Sequence, residues 1–79
     1  MAQNHLANIK PITPSDTAKT KEEFNYIQCG GSGDIAVKYK DGPVVLIKAS
    51  LLDKMSMVPV GTMDQVMATN TTATDIYAW

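Results

Sequence analysis

Between Asp34 and Lys40 the side chains alternate without a break, with Ile35, Val37 and Tyr39 on one side and Ala36, Lys38 and Lys40 on the other. A backbone that sends successive side chains to opposite faces is a β-strand, and this pattern predicts a half-buried one. The same period of two recurs twice. Phe24, Tyr26 and Gln28 oppose Asn25, Ile27 and Cys29, and near the end Ile76 and Ala78 oppose Tyr77 and Trp79.

The breaks between these stretches carry turn chemistry. Gly30-Gly31-Ser32-Gly33 stops the first strand, and Asp41-Gly42 supplies two residues that tolerate φ > 0. Pro43 has no N–H to close a two-residue turn, so a longer or open loop is expected there. Val44-Val45-Leu46-Ile47 is apolar on both faces, as in a strand covered on each side by a second sheet or by another subunit. Ser50 to Asp53 reads as a loop. Met55 to Val60 reads as a strand placed at an edge or bulge by Pro59, Gly61-Thr62 as a break, and Met63 to Thr69 as a further strand. The polar turn Asn70-Thr71-Thr72 is expected to bring Asp75 to Trp79 back beside Met63 to Thr69 as an antiparallel partner.

Six short strands with turns at intervals of roughly ten residues predict an all-β fold, a small β-sandwich or barrel of antiparallel strands spanning residues 23–79. Residues 1–22 are polar and contain Pro11 and Pro14, which favour an extended N-terminal arm over a helix. Such an arm is either disordered or docked on a neighbour. Thr20 and Glu23 have capping-box spacing, but β-type sequence follows at once.

With 79 residues the chain holds one domain. A core of that size leaves a monomer marginal without a staple or a partner. Cys29 has no second cysteine to pair with, and one cysteine plus His5 cannot complete an ordinary zinc site. The balance is expected from packing or from other subunits. The formal charge is -1, with 7 basic residues against 8 acidic. All the basic residues are lysines, and the absence of arginine argues against nucleic acid as a partner. Apolar runs such as Val44 to Ile47 fall far short of the roughly 20 residues that cross a bilayer. Met1 to Lys10 lacks the basic start and apolar centre of a signal peptide, so synthesis and assembly in the cytoplasm are expected. A lone thiol fits a reducing compartment.

The residues that carry chemistry elsewhere are poorly placed for it here. Ser-His-Asp or Cys-His catalysis would need His5, which sits in the arm where nothing rigid holds it. Gly30-Gly31-Ser32-Gly33 lacks the Lys-Ser or Lys-Thr and the following helix of a phosphate loop, so it reads as a turn. Asp16, Asp34, Asp41, Asp53, Asp64 and Asp75 are scattered among turns without the spacing of a calcium loop. No catalytic, metal or cofactor site is therefore expected. Lys38 and Lys40 read as a solvated strand face that discourages edge aggregation.

Contact surfaces are the more promising feature. Met55, Met57, Met63 and Met67 suit either a core or a surface that adapts to another protein, and Tyr77 and Trp79 carry the same duality. The candidate subunit or partner interface is Ile9 and Ile12 in the arm, Val45 and Ile47 in the apolar strand, Met55 and Met57, and Tyr77 with Trp79 at the end.

Three segments together resemble one family. Ile12-Thr13-Pro14-Ser15-Asp16-Thr17, then Gly30-Gly31-Ser32-Gly33-Asp34-Ile35, then Ala68-Thr69-Asn70-Thr71-Thr72-Ala73-Thr74-Asp75-Ile76 with an aromatic end, are similar in order and spacing to the small spike base proteins of tailed phages and gene transfer agents. In that family the middle usually reads Pro-Ala-Gly before the fifth strand and glycine before the paired threonines; here Leu51-Leu52-Asp53 and Asn70 stand in those places. The resemblance implies a non-enzymatic virion component at the foot of a spike or fibre, on the capsid or the tail. A homo-oligomer, trimer or pentamer, would suit that place. Two alternatives remain: a capsid decoration protein that cements the head, and a carbohydrate-binding attachment module.

Overall fold

The computed structural model describes residues 9–20, 22–39 and 42–79. His5, Lys40, Asp41 and the first eight residues of the arm lie outside the described residues. The fold is all-β. Among the described residues six strands, β1 (Lys10–Ile12), β2 (Phe24–Gly31), β3 (Ile35–Tyr39), β4 (Val44–Ile47), β5 (Val58–Val66) and β6 (Thr74–Ala78), accompany one helical turn, α1 (Ala49–Leu52). All six join one antiparallel sheet in the order β1-β6-β2-β5-β3-β4. Among the described residues the sheet is open, with β1 at one edge and β4 at the other.

Register explains the core. Residues directly opposite in an antiparallel pair share a face. Ile27 faces Ala78 and Cys29 faces Ile76, so the alternation in β2 and that in β6 present their apolar sides together. Ile35 opposite Ile47, and Val37 opposite both Val45 and Val66, continue the apolar face into β3, β4 and β5. One cluster of buried side chains results, running from Ile76 and Ala78 through Ile27, Val58 and Met63 to Ile35, Val37 and Ile47, with Leu52 and Ala73 closing it.

β5 differs from the expectation of two strands broken at Gly61-Thr62. The chain runs straight through, because Gly61 takes φ 56° inside the strand and forms an irregularity instead of a reversal. β2 advances from Phe24 to Tyr26 while β5 passes from Met63 to Pro59, so the extra residues bulge out on β5. A second bulge falls at Asp64: Lys38 pairs with Gln65 and Tyr39 with Met63, which skips it. The bends this introduces leave four consecutive residues, Met63 to Val66, buried.

Other expectations need correcting. β6 does not return beside Met63 to Thr69; it lies between β1 and β2. The segment after β5 crosses to the β2–β3 turn, where the Asp34 carbonyl accepts bonds from Thr72 N–H (2.9 Å) and Ala73 N–H (3.1 Å), and so delivers β6 to the far side of β2. Ser50 to Asp53 was expected as a loop, yet most of it winds into α1, whose start is held by the Asp34 carboxylate accepting from Ala49 N–H at 2.8 Å. Among the described residues β4 is not covered on both faces: it is the outermost strand, and only its Ile47 reaches the core. The hairpin before it closes with Gly42 N–H donating to the Tyr39 carbonyl at 2.9 Å, a longer loop as expected from Pro43.

The described part of the arm is extended and lies along its own chain. β1 pairs with β6, Ser15 N–H donates to the Val66 carbonyl (2.8 Å), and Thr20 N–H to the Asp64 carbonyl (2.7 Å). Thr20 thus serves β5 and not a helix cap. The Asp64 bulge turns that residue toward the arm, where its carboxylate also meets Lys19 Nζ at 3.6 Å.

Candidate interaction surfaces

The arm around Asp16, the glycine-rich turn around Gly33 and the threonine loop around Thr72 are far apart in sequence and adjacent in space. The Asp16 carboxylate accepts from Thr69 N–H at 2.9 Å and from the Thr69 hydroxyl, tying the arm to the loop after β5. Thr72 Oγ1 accepts from Asp34 N–H (2.9 Å), and Thr71 Oγ1 accepts from Ala36 N–H (2.9 Å). Gly33 sits at φ 153°, and a Cβ there would collide with the backbone of Thr72 and Ala73, so this approach requires glycine. The paired threonines and the glycine-rich turn are therefore two halves of one junction. The Thr69 hydroxyl, then its backbone N–H, hold the Asp16 carboxyl below the usual carboxylate range by bonding its charged form.

Burial, followed by the negative charge of Asp53, pushes the Cys29 thiol up, which keeps it protonated and a poor nucleophile. Among the described residues no three His, Cys, Asp or Glu side chains come together to hold a metal ion. No helix among them is long and apolar enough to cross a membrane.

Two separate apolar surfaces remain. The first lies on β2 and β6, around an open groove of about 330 Å³ lined by Ile9, Gln28, Cys29, Gly30, Tyr77 and Trp79. The Trp79 ring stacks on Tyr26 at 6.0 Å, and Trp79 exchanges backbone bonds with Tyr26 in both directions. The Gln28 amide is already committed: Nε2 donates to the Leu52 carbonyl (3.1 Å) and the Met55 carbonyl (2.6 Å), and Oε1 accepts from Cys29 N–H. The groove is an apolar aromatic surface with its one side-chain amide engaged.

The second surface is the outer edge of β4. Val44, Val45 and Leu46 are 50%, 42% and 40% exposed, while Ile47 is 6% exposed. Of the eight residues singled out from the sequence, Ile9, Tyr77 and Trp79 meet at the groove, and Met55 and Met57 lie exposed on the segment after α1. Val45 stands alone on the opposite edge. Ile47 belongs to the core and Ile12 packs against it, so both serve the chain's own interior. The sequence pattern does not mark Val44, Leu46 or Tyr26 as surface contacts. An apolar run gives no sign of which residue points inward, and Tyr26 becomes visible only through its stacking on Trp79.

Comparison with protein-family models, with curated proteins and with solved structures finds no match to this chain.

Proposed function

We propose that this protein is a phage-type virion structural subunit, an oligomeric base that anchors a spike or fibre to the particle and carries no catalytic activity. The observation that supports the reading most is the convergence of the three resembling segments. Asp16 reaches Thr69, and Asp34 and Gly33 meet Thr72 and Ala73. Their side chains and backbone are spent on holding the fold together, as expected of a structural subunit. The exposed apolar edge of β4 and the aromatic groove provide two contact surfaces on a domain whose small core gains from association. A carbohydrate-binding module is the weaker reading, because the one side-chain amide in the groove is spent on the Leu52 and Met55 carbonyls.

The test is to purify particles from the source cells, identify the chain in them by mass spectrometry, and locate it in a low-resolution map. Density for an oligomer beneath a spike or fibre is the expected result. A position between capsid subunits would make it a decoration protein instead, and absence from particles would overturn the reading.

A further inference from the structure

The sheet ends in two edges of different kinds. β1 presents Lys10, Pro11 and Ile12, and proline offers no N–H to a further strand. Charge and proline are the usual means of blunting an edge. The four residues of β4 are all apolar and the first three exposed, Pro43 and Lys48 lie just outside the strand, and among the described residues β4 pairs with β3 alone.

We infer that β4 pairs antiparallel with β4 of a second copy about a twofold axis at Val45, joining two six-stranded sheets into one. This rests on the oligomeric part of the function proposed above, and not on the place in a virion. The occupant follows from the register. In a twofold antiparallel pair, facing residues must lie on the same face, so the axis passes beside Val45 or beside Leu46. An axis at Val45 sets Val45 against Val45 of the second copy and Val44 against its Leu46, so the three exposed apolar residues cover one another. Lys48 then lies opposite Gly42. An axis at Leu46 would instead set Val44 against Lys48, whose ammonium is 3.9 Å from the Asp34 carboxylate. The edge is thus self-complementary in one register, without like charges opposed. The contact is isologous and gives a dimer; a ring of three or five subunits would need a second contact. A four-residue edge buries less than the roughly 1,200 Å² of a standard stable interface, so association in the micromolar range is expected.

The experiment uses Val45→Lys and Val45→Glu in the full chain, with sedimentation velocity at tens of micromolar. Wild type should be dimeric. Each variant should be monomeric, because the axis opposes two like charges, and an equal mixture should recover a dimer containing one of each. A monomeric wild type, undiminished self-association in both variants, or a mixture that stays monomeric would overturn the pairing. Should a charged variant fail to fold, Val45→Cys in a Cys29→Ser background decides the matter. Opposed Cα atoms of such a pair are about 4.5–5.5 Å apart, within disulfide reach, so mild oxidation should yield a covalent dimer. Only monomer after oxidation would refute the register. Neither result bears on the map of the particle, which tests the virion reading separately.

Discussion

The Asp16 carboxylate and the Thr69 backbone N–H are joined by a 2.9 Å hydrogen bond across a sequence separation of 53 residues. It closes the arm onto the loop that leads into β6, and the lowered pKa of Asp16 makes it sensitive to acid. A carboxyl depressed in the folded state contributes stability above its unfolded pKa of about 3.9, and that contribution is lost as pH falls through the folded value. Asp16→Asn, which has no charge to titrate, should therefore show a flatter decline of melting temperature below about pH 4 than wild type. Parallel declines would mean that the bond contributes nothing to stability.

Gly33 and Gly61 both have positive φ but differ in surroundings. A Cβ on Gly33 meets the backbone of Thr72 and Ala73, whereas one on Gly61 meets nothing within 4 Å. Gly61→Ala should cost about 1–2 kcal/mol, the left-handed penalty alone. Gly33→Ala adds a backbone collision, so its cost should exceed that and separate β2–β3 from the threonine loop. Urea denaturation of the two variants checks the order, and equal midpoints would contradict the junction described.

β6 lies between β1 and β2, and both neighbours depend on it. Deleting residues 76–79 removes Ile76 and Ala78 from the core along with the strand that holds β1, so the variant should not fold. Trp79→Ala keeps the backbone ladder and loses the stack on Tyr26, an effect of about 0.5–1.5 kcal/mol beyond the area lost. Thermal melts by far-ultraviolet circular dichroism distinguish the two. A truncated chain that melts at the wild-type temperature would refute the placement of β6.

The arm offers a direct observable. Ser15 and Thr20 donate to the Val66 and Asp64 carbonyls of β5. Their amides should exchange with deuterium as slowly as those of β1, which pairs with β6. Exchange at the rate of an unstructured peptide would mean that the arm leaves the sheet in solution.

Burial raises the Cys29 thiol, so it should react with a disulfide reagent at neutral pH more slowly than free cysteine does. Unfolding in urea should bring its rate up to that of the free amino acid. A fast reaction in the folded protein would show an environment other than the one described.

How much of this was legible depends on the range of the interaction concerned. Alternation is local: a strand half-buried on a sheet places apolar residues at every second position, so the strands and the all-β class could be read from it, and in β6 the faces as well. In β2, where the register with β5 shifts after Phe24, both Phe24 and Ile27 are buried although alternation sets them on opposite faces, and in β3 Ala36 is buried along with Ile35 and Val37. Turn chemistry is local as well, as at Gly42, but Gly61 shows its limit. The same positive φ can end a strand or bulge it, and only the partners on either side of β5 select the bulge. The aromatic groove was partly visible in Tyr77 and Trp79, while Tyr26 was not, because nothing in the chain states that residues 26 and 79 stack.

Residue types and spacing determined that the chain forms strands and that apolar side chains recur at Val44 to Ile47. Strand order was beyond them. β6 pairs with β2 and not with β5 because the backbone donors of Thr72 and Ala73 are satisfied by the carbonyl of Asp34, a contact between residues that no period connects. At the other end of the sheet β3 is flanked by β5 and β4, so β4 is an outer edge, with Ile47 turned inward and Val44 to Leu46 turned out. Only the tertiary structure separates these four residues, because a hydrophobic side chain gains the same free energy beneath its own sheet as against a neighbour, and which surface it finds is decided by topology.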